Sequence, residues 1–163
     1  MVSRRALGRA LVGRDVAVAF AVLGAVYLAR RVEFQPLQIP AYLLIVTYDL
    51  VEVALPFLTP YHPLVFPLFL YLLAVVGAGA ARWLGADGEG RSAVTRTAGG
   101  VCLVVGTLSL LFGAFVGGPL ISPTDNPTPL AVTGVTGVGL LGVGWLLLGP
   151  TPWRPPAPER EAQ

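Results

Sequence analysis

The sequence predicts an all-α, polytopic integral membrane protein: a four-helix transmembrane bundle preceded by a basic N-terminal helix. Three observations predict it. Of 163 residues, 55% are hydrophobic and 12% charged, and the mean hydropathy is +0.73, outside the range of soluble domains. The apolar residues gather into runs close to the ~20 residues that a helix needs to cross a hydrocarbon core of about 30 Å. The charges largely avoid those runs. Inside a bilayer every backbone N–H and C=O must be paired within the protein, so long apolar runs read as helices.

The first element, residues 1–36, is basic. Arg4, Arg5, Arg9 and Arg14 precede 14 uncharged residues, 16–29, which Arg30 and Arg31 close. That length lies where a re-entrant, interfacial or buried helix competes with a span, so this helix is a candidate fifth crossing. Residues 37–57 form the first full-length segment, entered through Pro36 and Pro40 and closed by Pro56. Residues 64–84 follow a short Pro-rich turn. After a polar, glycine-rich connection at 85–96 come two uncharged segments, 97–120 and 130–148, the second ending at the stop signal Gly149-Pro150. Residues 150–163, with Pro152, Pro155, Pro156 and Pro158, read as a disordered cytoplasmic tail.

Arginine placement sets the expected topology, because positive residues in short loops mark the cytoplasmic side. All eleven basic residues are Arg. With four crossings every one of them is cytoplasmic; with a fifth crossing at 16–29 the split falls to seven inside and four outside. Four crossings are therefore favoured, with the C-terminus cytoplasmic and the turns 58–63 and 121–129 outside. Trp83, Trp145 and Trp153 fall at the cytoplasmic helix ends, where amphipathic rings prefer to sit. A cleaved signal peptide fits poorly, since Tyr27 would occupy a small-residue position, and Ser3-Arg4-Arg5 is a weak match to a twin-arginine signal. The Lys-free, Ala-, Val-, Gly-, Arg- and Pro-rich composition suits a GC-rich prokaryotic genome, which makes the expected location the cell membrane.

Helix association in lipid depends on close packing and interhelical hydrogen bonds, which favour small residues at contacts. Gly99, Cys102, Gly106, Ser109 and Gly113 fall at heptad a and d positions, and Gly113 with Gly117 makes a GxxxG step. The last helix carries Gly134, Gly137, Gly139, Gly142 and Gly144, and the segment 64–84 ends in the run Gly77-Ala78-Gly79-Ala80-Ala81, so these three helices are expected to approach closely. This seam is also the expected surface for a homo-oligomer or another membrane partner. The turns Pro56–Pro60 and Pro119–Pro123 share the pattern P-h-h-[ST]-P, which raises a duplicated hairpin beside the simpler explanation that Pro and hydroxyl residues are common at helix ends.

Two acids, Asp49 and Glu52, stand inside the first long segment, three residues apart and so on one helix face. They lie about 12 Å and about 8 Å below the outer edge, and no Arg is near. An ionised carboxylate at such a depth costs up to about 3 kcal/mol even on a lenient insertion scale. Tyr71, Ser109, Thr133 and Thr136 fall in the same layer. A polar pocket is therefore expected, lined by Asp49, Glu52, Tyr71, Ser109 and Thr136 and opening toward His62 and Asp125. It is a candidate proton or ligand site.

One Cys and one His exclude a disulfide framework, a CxxC pair and a His/Cys zinc site. No nucleophile with its base and no phosphate-binding Gly loop is present. No cofactor, metal or enzymatic activity is expected, and a net charge of +2 argues against nucleic acid. The first expectation is a structural or accessory membrane protein that packs through Gly-rich helix faces. The alternative is a small proton-coupled transporter using Asp49 and Glu52.

Overall fold

The computed structural model describes residues 11–84, 92–117 and 128–149, which form helices and turns with no strand among them. Five helices follow in chain order: α1 (Arg14–Leu28), α2 (Gln35–Ala54), α3 (His62–Leu84), α4 (Ala93–Gly117) and α5 (Thr128–Leu148). Two 3-10 turns, Ala29–Arg31 and Pro56–Tyr61, follow α1 and α2. Three of the helical stretches are long and apolar enough to cross a bilayer: Pro56–Leu84, Ala93–Phe115 and Leu130–Leu148. The expected crossing at 37–57 is not among them; its helix α2 carries Gln38, Asp49 and Glu52. The tail 150–163, Asp125, and the second P-h-h-[ST]-P turn lie outside the described residues.

Local chemistry explains where the elements begin and end. Extended Gly13 opens α1, with Asp15 in its first turn, where a carboxylate complements the helix dipole. Val16, Ala19 and Leu23 form one buried stripe. Pro36 sits in the first turn of α2, where the missing N–H is harmless, and Gln38 Nε2 reaches back to Val32 O at 2.6 Å. The sequence places 93–96 in a loop, but α4 begins at Ala93. Ser92 is the reason: its Oγ accepts the Thr95 N–H at 3.1 Å, an N-cap that draws the helix back through Arg96. Gly149 ends α5 with φ 59°, a left-handed cap in which its N–H donates to Trp145 O at 3.1 Å.

α4 is the hub, packing against each of the other four helices, while α5 leans chiefly on α4. Successive neighbours along α4 give the heights of α1 and α2. Asp15 shares a pocket with Arg96 and Thr97, whereas Ala29 and Pro40 share a cleft with Val101, Cys102 and Val105. Thr47 and Leu50 share a third with Leu108, Leu111, Phe112 and Phe115. Over its length of about 21 Å, α1 thus climbs from the Arg-bearing end of α4 only to its middle, and α2 continues to the far end. The N-terminal helix packs against the other helices through one stripe, Val16, Ala19 and Leu23, each at most 2% exposed, while Phe20 and Leu28 on its other side are exposed.

Candidate functional site

Two arrangements concentrate the chemistry of the chain: an α4–α5 seam of backbone contacts, and a polar cluster where α2 meets the start of α3.

The seam follows from glycine. A Cβ placed on Gly99 would lie 2.9 Å from Gly144 O, and one on Gly106 would lie 2.9 Å from Gly137 O. On Gly113 it would meet Thr133 Oγ1 at 2.8 Å, and on Gly137 it would meet Leu110 Cδ2 at 2.7 Å. Buried Ser109 adds a hydrogen bond from Oγ to Thr133 O at 2.7 Å. Gly100 does the same work on the α3 side, where a Cβ would collide with Gly77 O. Cys102 is half-buried and lines the apolar cleft of about 340 Å³ between α1, α2 and α4, with Leu140 at its edge. Gly117 is the last residue of α4. The seam is filled within the chain; on α5, Gly134, Gly139 and Gly142 are the glycines facing open space.

The polar layer expected in the outer half divides between different partners. Tyr71 Oη donates to Leu11 O at 2.6 Å, across to the residues that precede α1. Ser109 belongs to the seam, Thr133 Oγ1 donates to Leu130 O at 3.1 Å, and Thr136 is half-buried. Thr47 Oγ1 donates to Leu43 O at 2.7 Å. Hydroxyls in membrane helices commonly bond to backbone carbonyls in this way. Asp49 is exposed on α2, whereas Glu52 is half-buried. The two acids, adjacent on the helical wheel, therefore part company at the protein surface.

What remains together is Tyr48, Glu52 and His62. Tyr48 is fully buried, its ring 5.1 Å from those of His62 and Phe66 and 5.5 Å from that of Phe69. His62 stacks on Phe66 at 5.7 Å with an interplanar angle of 3°. Tyr48 Oη and Glu52 Oε1 are both buried without a hydrogen-bond partner. They stand four residues apart, one above the other on a helix face. Tyr48 is the member that sequence reasoning missed. Its signal was present: a tyrosine one turn before an intramembrane acid places a hydroxyl on that acid's face.

Tyr48 and Glu52 thus place a hydroxyl and a carboxylate oxygen, both buried, on one face of α2, with the His62 ring against that of Tyr48. Among the described residues no group of three His, Cys, Asp or Glu side chains could hold a metal ion. Comparison with known proteins finds no matching family model, no matching curated protein and no matching solved structure.

Proposed function

We propose that the chain is a multi-pass protein of the cell membrane with a structural or accessory role. In this reading α2 to α5 cross the bilayer, α1 enters partway from the cytoplasmic side, and the Arg-rich ends and the C-terminus are cytoplasmic. The observation that carries it is the α4–α5 seam, in which glycines place backbone against backbone from Gly99–Gly144 to Gly106–Gly137. Such contact builds a rigid hairpin. The open side of α5, with Gly139 and Gly142, is the surface left for a second copy or another membrane helix.

A second reading, a proton-coupled transporter, is favoured by the unpartnered Tyr48 Oη and Glu52 Oε1 on one face of α2, where the Tyr48 ring meets that of His62. In that reading Glu52 exchanges protons with the outer side. One experiment separates the two. Proteoliposomes carrying a lumenal pH dye are given a proton gradient, with and without the chain. A structural role leaves the leak at the level of empty liposomes; a chain-dependent flux abolished by Glu52→Gln replaces it with the second reading. Reporter fusions at both termini test the topology, and a cytoplasmic signal from both is the expected result.

A further inference from the structure

Not every small residue of α4 meets another helix. Gly99 and Gly106 close on α5, whereas Cys102, between them in sequence, borders the apolar cleft of about 340 Å³. Ala25 and Ala29 of α1 border the same space, as does Pro40 of α2. Cys102, Ala29 and Pro40 are half-buried, and exposed Ala25 marks the open side. An unfilled gap forfeits the dispersion contacts of the atoms along its wall, so a cleft kept open between packed helices calls for an occupant.

Width, chemistry and depth select that occupant. α1, α2 and α4 each contact the other two. The space they share is therefore too narrow for another helix, which measures about 10 Å across with its side chains, but admits a hydrocarbon chain about 4 Å thick. The described lining is aliphatic apart from the Cys102 thiol, a weak hydrogen-bonding group. Ordered water needs two to four polar partners, and cavities without them stay dry. Val101 and Val105 on its α4 wall stand near the middle of Ala93–Gly117, a helix whose stretch Ala93–Phe115 is long and apolar enough to cross a bilayer. At that height the surrounding medium is hydrocarbon. The cleft follows α1 from Val22 to Ala29, a rise of about 10 Å, and its volume is more than twice the ~150 Å³ that holds a benzene ring in an engineered apolar cavity.

We propose that this cleft binds one acyl chain of a bilayer phospholipid, taken in sideways from the membrane. The proposal rests on the chain spanning a bilayer, which the reporter fusions test separately. Ala25 and Ala29 are small where the lipid needs room, and Cys102 is the α4 side chain that touches it. The acyl chain does between α1, α2 and α4 what the glycines do between α4 and α5: it brings the facing surfaces into contact.

The test uses the full chain in phosphatidylcholine nanodiscs doped with a phosphatidylcholine that carries a diazirine midway along one acyl chain. After photolysis the crosslinked residues are mapped. Crosslinks are expected to concentrate on residues 22–29 and 101–105, several-fold above exposed Leu72 of α3 and Val138 of α5, which bulk lipid reaches. Ala25→Leu puts a branched side chain into the occupied cleft and should cut labelling there about tenfold, the scale of overpacking, while Leu72 and Val138 keep theirs. Ala29→Leu serves where Ala25→Leu does not fold. Cys102, the only cysteine of the chain, reports the other occupants. Rapid alkylation by a charged maleimide would mean a water-filled cleft, and a Cys102–Cys102 disulfide on oxidation would mean a second copy; either result overturns the proposal. Cleft labelling no stronger than that of Leu72 and Val138, or undiminished in both leucine variants, overturns it as well.

Discussion

Gly99 and Gly144 meet backbone to backbone: a Cβ on Gly144 would lie 2.8 Å from Gly99 O, and one on Gly99 would lie 2.9 Å from Gly144 O. Seven residues along each helix the relationship recurs between Gly106 and Gly137. Two points of contact at that spacing fix both the separation and the register of α4 against α5.

Substitution at Gly106 should therefore be felt even by a methyl group, because the atoms it meets, Gly137 O and Leu141 N, are backbone and cannot swing aside. Gly106→Ala is expected to destabilise by about 1–3 kcal/mol, and Gly106→Leu by more than Leu103→Ala, since Leu103 is only half-buried. Gly139→Ala meets nothing within 4 Å and should be neutral or stabilising by up to about 1 kcal/mol through helix propensity. Thermal unfolding of the variants in one detergent checks the contrast, and equal melting temperatures for Gly106→Ala and Gly139→Ala would refute the seam.

Ser109 contributes through its bond to Thr133 O. Ser109→Ala leaves that buried carbonyl without its side-chain donor and should lower stability by about 1 kcal/mol, the usual range for an interhelical hydrogen bond in a membrane. Thr107→Ala, on the exposed side of the same helix, serves as the control and should leave the melting temperature unchanged.

Tyr48 should respond with the opposite sign. Its ring is held by Phe66, Phe69 and His62 while its hydroxyl is buried without a partner, an arrangement that costs about 1–3 kcal/mol. Tyr48→Phe keeps the ring contacts and removes the orphan, so a rise in melting temperature is expected. A fall would mean that the hydroxyl finds an acceptor in the membrane, with Glu52 the nearest candidate on its helix face.

Tyr71→Phe should act at a distance along the chain. The bond from Tyr71 Oη to Leu11 O spans 60 residues and ties the approach to α1 onto α3. Its loss should speed amide hydrogen exchange around Leu11 to Gly13 while leaving the middle of α4 protected. Unchanged exchange there would show that the apolar stripe of α1 holds this segment without the hydrogen bond.

Much of the fold was legible because membrane helices announce themselves by length and hydropathy; α3, α4 and α5 all appear where the apolar runs are. Of the expected seam, Gly99, Gly106, Ser109 and Gly113 meet α5, whereas Cys102, at the same spacing, lines the cleft toward α1 and α2. The start of α4 was missed although Ser92 is a recognisable cap, because the polar, glycine-rich stretch before Thr97 outweighed it. The polar layer was only half readable. Depth along a helix follows from residue counting, but the direction around its axis depends on how helices are rotated against one another. Hence Asp49 and Glu52, three residues apart on one helix, separate at the surface, and Tyr71 turns toward Leu11. Similarly, 14 uncharged residues could not say which of them meet the neighbouring helices; the structure buries Val16, Ala19 and Leu23 and leaves Phe20 and Leu28 exposed.

The central place of α4 also bears on biosynthesis. Helices α1, α2 and α3 emerge from the ribosome before the one element they all share as a neighbour exists. Until α4 arrives, the faces of α3 that carry Gly77 and Ala81, and the side of α1 turned toward α4, have only lipid or the insertion machinery to contact. A nascent chain that stops after Leu84 therefore holds the part of the core that α1, α2 and α3 share, from Val16 and Leu23 to Tyr48, Phe66 and Leu70, and waits for Val101 and Val105 of α4 to complete it.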